Sequence, residues 1–201
     1  MKKLHNKMRK KIEKRLREFR KTGRDENAMF EELVFCLLTP QSKARVCWRA
    51  VERLRKRGLL GSEDVRAIEK ELTGVRFTHQ KAKWISAVAK FKGKLGRLRS
   101  RFSKPGEFRE WLVKNVKGLG YKEASHFIRN IGFSDELAIL DRHILKNLNR
   151  FGVIEEIPKS LTKRRYLEIE KKMQEFSRRV GIPLSHLDLL FWAMETGEIF
   201  K

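Results

Sequence analysis

The sequence predicts an all-α protein, and two observations carry that prediction. From Leu4 to Trp192, apolar residues recur at three- and four-residue spacing in one segment after another, the period of a helix with one buried face. These segments are separated by proline and glycine at Pro40, Gly58, Gly61, Gly74, Pro105, Gly118, Gly120, Pro158 and Gly181, which stop helices and open turns. The chain has 201 residues, 40% of them hydrophobic, enough for a sizeable core, and it is expected to form a single compact unit over residues 1–201.

Residues 2–21 align Leu4, Met8, Ile12, Leu16 and Phe19 on one helical side. Up to Arg24 there are twelve Lys and Arg against two Glu, a local charge of +10 expected on a solvated or strand-facing surface. Asp25–Thr39 follows as a strongly apolar helix carrying Phe30, Leu33, Val34, Leu37 and Leu38, and Pro40 ends it. Gln41 and Ser42 then lie at a join of two helices, where ordinary chemistry makes Gln41 a turn residue and Ser42 the N-cap of a helix over Lys43–Arg57. A short helix is predicted over Ser62–Leu72 with Ser62 as its cap, and a loop, Gly74–Thr78, leads into His79–Leu95. Phe77, just ahead of that helix, fits a hydrophobic staple.

Residues 92–104 form a basic connection, and Pro105 is placed as the first residue of a helix that turns Phe108, Trp111, Leu112 and Val113 inward. A long helix to Arg179, introduced by Pro158 and Ser160, buries Tyr166, Ile169, Met173 and Phe176. The last helix, Leu184–Glu195, holds Leu187, Leu190, Phe191 and Trp192, after which Ile199 and Phe200 predict a docked terminus.

A net charge of +23 and a pI near 10.4 exceed what solubility requires and point to a polyanion as partner. No apolar run approaches the ~18 residues of a membrane span, and no signal peptide is recognisable, so the expected location is cytoplasmic. The two cysteines, Cys36 and Cys47, sit in apolar helical stretches and are expected to be small core residues. High charge content with only three Gln fits the composition of a thermophile.

The organising stretch is Val113–Leu148. Gly118-Leu119-Gly120 is a tight turn opening into a helical pattern, so residues about 106–132 read as helix, hairpin and helix, built to hold a DNA strand. Gly118 and Gly120 let amides point at a phosphate, and the helix start behind them adds its positive end. Lys122 stands in that first helical turn, where a second positive charge is disfavoured, which makes its amine a candidate nucleophile. Nineteen residues on, Asp141 opens another helical pattern; alone it would be an N-cap, as Lys122 alone would be a phosphate contact.

The run G-L-G-Y-K at Gly118–Lys122 followed by I-L-D-R-H at Ile139–His143 resembles the signature of helix-hairpin-helix DNA glycosylases that use a catalytic lysine. L-L-T-P-Q near the front and T-G-E-I-F-K at the end are similar to the archaeal-type 8-oxoguanine DNA glycosylase/AP lyase, and the match covers nearly the whole chain. The resemblance implies the helix-hairpin-helix DNA glycosylase fold, with two helical subdomains and the active site in the cleft between them. It implies Lys122 and Asp141 as catalytic residues, and Phe77, Trp192 and Lys201 as the residues that recognise the base. Gln41 matches the position that fills the gap left by an extruded nucleotide, with Arg142 and His143 beside the reacting phosphate. The backbone carbonyls of Lys114, Val116 and Leu119 match positions that cradle a monovalent cation.

No other cofactor is implied, and the four-cysteine spacing of iron–sulfur relatives is missing, so no cluster is expected. The expected partner is double-stranded DNA containing 8-oxoguanine, met by a monomer. Two alternatives stay open at this point: a lyase-competent glycosylase acting on another base, and a non-catalytic hairpin DNA-binding protein. In the second, Lys122 and Asp141 would be surface and cap residues.

Overall fold

The computed structural model describes residues 1–201, and it contains helices and no strand. Helix α2 (Glu26–Leu38) has nine of its thirteen residues buried, because it is apolar on every side and must therefore lie inside a ring of other helices. Asp25 caps it, accepting from the Ala28 amide at 2.9 Å. Around it pack α3 (Ala44–Lys56), α5 (Thr78–Val88), α6 (Leu95–Arg99) and α8 (Tyr121–Asn130), with α4 (Val65–Lys70) laid on α5 and α7 (Pro105–Asn115) on α8, forming a core that runs from Met29 to Ile131. Cys36 and Cys47 are both buried in this core as free thiols, and burial pushes the Cys47 thiol up to about 11.

A second core is built from α9 (Arg142–Arg150), α10 (Lys163–Val180) and α11 (Leu184–Thr196), centred on Ile144, Leu148, Met173, Leu187 and Phe191. Each fully buried Leu or Ile of this kind contributes about 1.5–3 kcal/mol relative to exposure. Helix α1 (Lys2–Thr22) closes the molecule by laying Ile12, Leu16 and Phe19 on Leu189 and Leu190 of α11. Its remaining faces carry the basic residues into solvent.

Three local expectations are corrected. The cap of α4 is Asp64, which accepts from Ala67 N at 3.0 Å, while Ser62 turns back to accept from Asp64 N at 3.1 Å. The long helix that Pro158 and Ser160 introduce begins at Lys163, with Thr162 as its cap. The pattern over His79–Leu95 ends as a helix at Val88, and α6 forms inside the stretch expected to be a connection. It forms because Glu26, on α2, accepts from Leu95 N at 2.9 Å and Gly96 N at 2.8 Å, a cap supplied from a distant part of the chain. Finally, Ser42 does not cap α3, whose N-cap is Lys43 with no side-chain bond.

Candidate active site

The hairpin joins α7 to α8 through Val116–Gly120. Gly118 has φ +98°, and a Cβ there would lie 2.5 Å from Cδ2 of Trp84, so only glycine satisfies both the backbone and the packing. Gly120 is the N-cap of α8, and Glu123 reaches back to its amide at 3.2 Å. The amides of Tyr121 and Lys122 have no acceptor in the protein, as expected of a free helix start. The Lys114 and Leu119 carbonyls accept no hydrogen bond, and that of Val116 accepts one from Leu119 N at 3.2 Å.

Lys122 is the second residue of α8, with its side chain about one-fifth exposed. Its amine lies 3.4 Å from Thr39 Oγ1, at the end of α2, and 3.4 Å from Glu123 Oε1. Asp141 is the N-cap of α9: its Oδ1 accepts from His143 N and Ile144 N, both at 2.8 Å, while Oδ2 makes no bond. One carboxylate oxygen therefore holds the helix and the other is left for chemistry. The segment leading to it is held from α10, because Tyr166 donates to Ala138 O at 2.6 Å and Glu170 accepts from Ala138 N at 2.8 Å.

Lys122 belongs to a helix packed in the first core and Asp141 to one packed in the second. The charges of both bear on Asp188 of α11, a buried acid whose carboxyl is pushed up to about 6. Burial is the main cause; the Arg129 guanidinium opposes it, Asp141 adds to it and Lys122 opposes it. Arg129 Nη1 stands 3.4 Å from Asp188, and both are nearly inaccessible. Sequence reasoning missed this pair, although a lone acid inside L-S-H-L-D-L-L-F-W was a signal for it.

Gln41 and Phe77 are the two non-glycine residues with left-handed backbones, φ +55° and +59°, a conformation that costs about 1–2 kcal/mol per residue. Phe77 is 55% exposed, the most exposed large apolar side chain, and so it is not the hydrophobic staple its place before α5 suggested. Lys81 was also missed. It lies on the buried side of α5 in step with Ile85 and is 1% exposed.

His143 packs its ring edge-on against Trp192 at 5.0 Å. Trp192 Nε1 is buried without a partner. Arg142, the first residue of α9, is exposed. Lys201 is docked: its ammonium pairs with the buried Glu32 carboxylate and stands 3.4 Å above the Trp48 ring centre. Glu32 also accepts from Asn130 at 2.8 Å. Burial lowers the Lys201 pKa, and the Glu32 charge opposes that shift.

Comparison with known proteins gives one consistent answer. Residues 12–182 match the family model for 8-oxoguanine DNA glycosylase. An 8-oxoguanine DNA glycosylase/AP lyase of Korarchaeum cryptofilum is 47% identical, over 94% of this chain and 90% of that protein. One of Fusobacterium nucleatum is 42% identical, over 99% and 95%. The Methanocaldococcus jannaschii 8-oxoguanine glycosylase/lyase, solved in complex with a 15mer DNA containing 8-oxoguanine, superposes with a TM-score of 0.90 at 36% identity, covering 99% of this chain and 98% of that one. The 8-oxoguanine DNA glycosylase of Thermotoga maritima superposes with a TM-score of 0.90 at 35% identity, over 100% and 96%. A hairpin with an adjoining lysine and a capping aspartate, in a helical frame matched over its full length, makes this chain a member of the 8-oxoguanine DNA glycosylase family.

Proposed function

We propose that this protein excises 8-oxoguanine from double-stranded DNA and then cleaves the strand at the abasic site, the first steps of base excision repair. The observation that carries the reading is the glycine hairpin with Lys122 in the first turn of the helix behind it, together with Asp141 capping α9 through one carboxylate oxygen and leaving the other unbonded.

The lesion must first leave the stack, at a cost of roughly a few kcal/mol. Gln41 fills the vacated space, the free amides behind Gly118 and Gly120 take a backbone phosphate, and Arg142 and His143 hold a neighbouring one. The carbonyls of Lys114, Val116 and Leu119 suit a monovalent cation, because two of them accept no hydrogen bond; such an ion would extend the positive hairpin toward the phosphate. Phe77, Trp192 and Lys201 surround the extruded base. Oxidised guanine carries a hydrogen on N7 where guanine offers only an acceptor, so a site that accepts there discriminates between them.

The Lys122 amine, having given up its proton, forms a bond to the sugar C1′ as the glycosidic bond breaks. The bonding pair leaves on the base, which takes up a proton. Asp141 Oδ2 faces the positive charge that develops on the sugar. Opening of the sugar ring turns the adduct into an imine, which acidifies the C2′ hydrogen. Loss of that proton expels the 3′ phosphate oxygen and cuts the strand.

The protein is expected to act as a monomer at the nucleoid in the cytoplasm; no helix is long and apolar enough to cross a membrane. Borohydride reduction during incubation with 8-oxoguanine duplex tests the reading. A covalent adduct that disappears in Lys122→Gln is expected, and no adduct at any lesion would remove the enzymatic reading. Adducts with oxidised pyrimidines alone would reassign the substrate.

A further inference from the structure

The two strained residues, Gln41 and Phe77, are tied to one buried ammonium. Lys81 Nζ donates to Leu38 O and Pro40 O, each at 2.7 Å, and to Ser42 Oγ at 3.0 Å, so its bonds bracket Gln41 on both sides. The same Ser42 oxygen accepts from Arg76 N at 3.0 Å, the residue before Phe77, and Lys81's own amide donates to Phe77 O at 3.0 Å. All three acceptors of the ammonium are neutral oxygens, and no carboxylate pairs with it. An apolar side chain of similar length would fill this space without the cost of burying a charge. What the ammonium supplies is three directed donors at one point, where two separate loops must be held in register.

We propose that Lys81 is a positioning residue for base extrusion: through the two carbonyls and Ser42 it presets the Gln41 turn and the Phe77 loop at one separation. The amide that enters the duplex and the ring that receives the base then arrive already ordered. This rests on the roles given to Gln41 and Phe77 above. Left-handed backbones at two non-glycine residues persist only where the surroundings hold them, and these bonds fall on the residues beside Gln41 and on the Phe77 loop. Burial lowers the Lys81 pKa and the nearby Lys122 ammonium lowers it further, which suits a group chosen for its bonds and not for a surface charge.

Two variants test this. Lys81→Met removes all three donors while filling the space, and Ser42→Ala removes only the link between the loops. Extrusion is followed by the fluorescence of 2-aminopurine placed beside 8-oxoguanine in a duplex, and excision by single-turnover rates at saturating enzyme. A preformed abasic site in single-stranded DNA needs no extrusion and reports on Lys122 alone. Both variants are expected to slow the fluorescence change and excision together by about ten- to a hundred-fold, leaving single-strand abasic cleavage within about two-fold of the parent.

A folded Ser42→Ala protein that extrudes and excises at the parent's rate would overturn the proposal. So would an equal loss of abasic cleavage, which would mean general damage. If Lys81→Met does not fold, Ser42→Ala decides alone. A parent protein that forms no borohydride adduct would instead bring down the functional reading beneath it, and that control is separate from both variants.

Discussion

Arg109 on α7 and Glu170 on α10 are joined by two parallel hydrogen bonds, Nη1 to Oε2 at 2.6 Å and Nη2 to Oε1 at 2.8 Å, with both side chains buried. Arg109 also donates to Ser125 Oγ at 3.1 Å, and Glu170 accepts from Ala138 N at 2.8 Å. One ion pair thus ties the first arm of the hairpin, α8 and the strip leading to Asp141. Arg109→Met leaves a buried carboxylate without its charge partner and is expected to cost about 3–5 kcal/mol in urea denaturation. Arg109→Met with Glu170→Leu removes both charges and should recover most of that loss.

Asp141 has two tasks on two oxygens, and substitution separates them. Asparagine caps a helix about as well as aspartate, so Asp141→Asn should stay within about 0.5 kcal/mol of the parent in stability, whereas Asp141→Ala loses about 1 kcal/mol. Excision is expected to fall about a hundred-fold or more in both, with lesion binding retained in Asp141→Asn. Full turnover by the asparagine variant would reduce Asp141 to a cap.

Lys201 and Glu32 depend on one another because Glu32 is buried and the Lys201 side chain is only 10% exposed, and Asn130 is the other hydrogen-bond partner of Glu32. Lys201→Met is expected to cost about 3 kcal/mol or more by thermal or chemical denaturation, and adding Glu32→Gln should restore much of it. Deleting Lys201 should weaken the preference for 8-oxoguanine over guanine more than it weakens nonspecific binding. Competition binding with the two duplexes measures this, and an unaltered preference would remove Lys201 from base recognition.

His5 on α1 and His186 on α11 meet at 3.0 Å, Nε2 to Nδ1, which requires at least one ring to be neutral. Burial lowers both pKa values from 6.5; Arg9 adds to both shifts, the His5 charge adds to that of His186, and Glu13 opposes both. Bases whose folded pKa is depressed take up protons more readily in the unfolded chain. Their contribution is therefore fully present above pH 6.5 and is lost as the pH falls below it. The melting temperature should drop between about pH 7 and 5.5, and the drop should be shallower in a His5→Gln/His186→Gln variant. An unchanged slope would show that the acid sensitivity originates elsewhere.

The sequence alone determined the all-helical class, the hairpin and the place of Asp141 at the start of a helix. Those depend on local rules: apolar period, the glycine that must stand at φ +98°, and a carboxylate at a helix start. It placed Cys36 and Cys47 correctly for the same reason, since both lie on apolar helical faces. Only the tertiary structure decided which polar groups are buried together. Lys81 under the Gln41 turn, Asp188 beside Arg129, Glu26 capping α6 and Glu32 receiving Lys201 each join residues far apart in the chain. Apolar neighbours can mark a charge such as Asp188 as buried, but they do not name the partner that holds it from dozens of residues away. That pairing exists only once the backbone has closed around it.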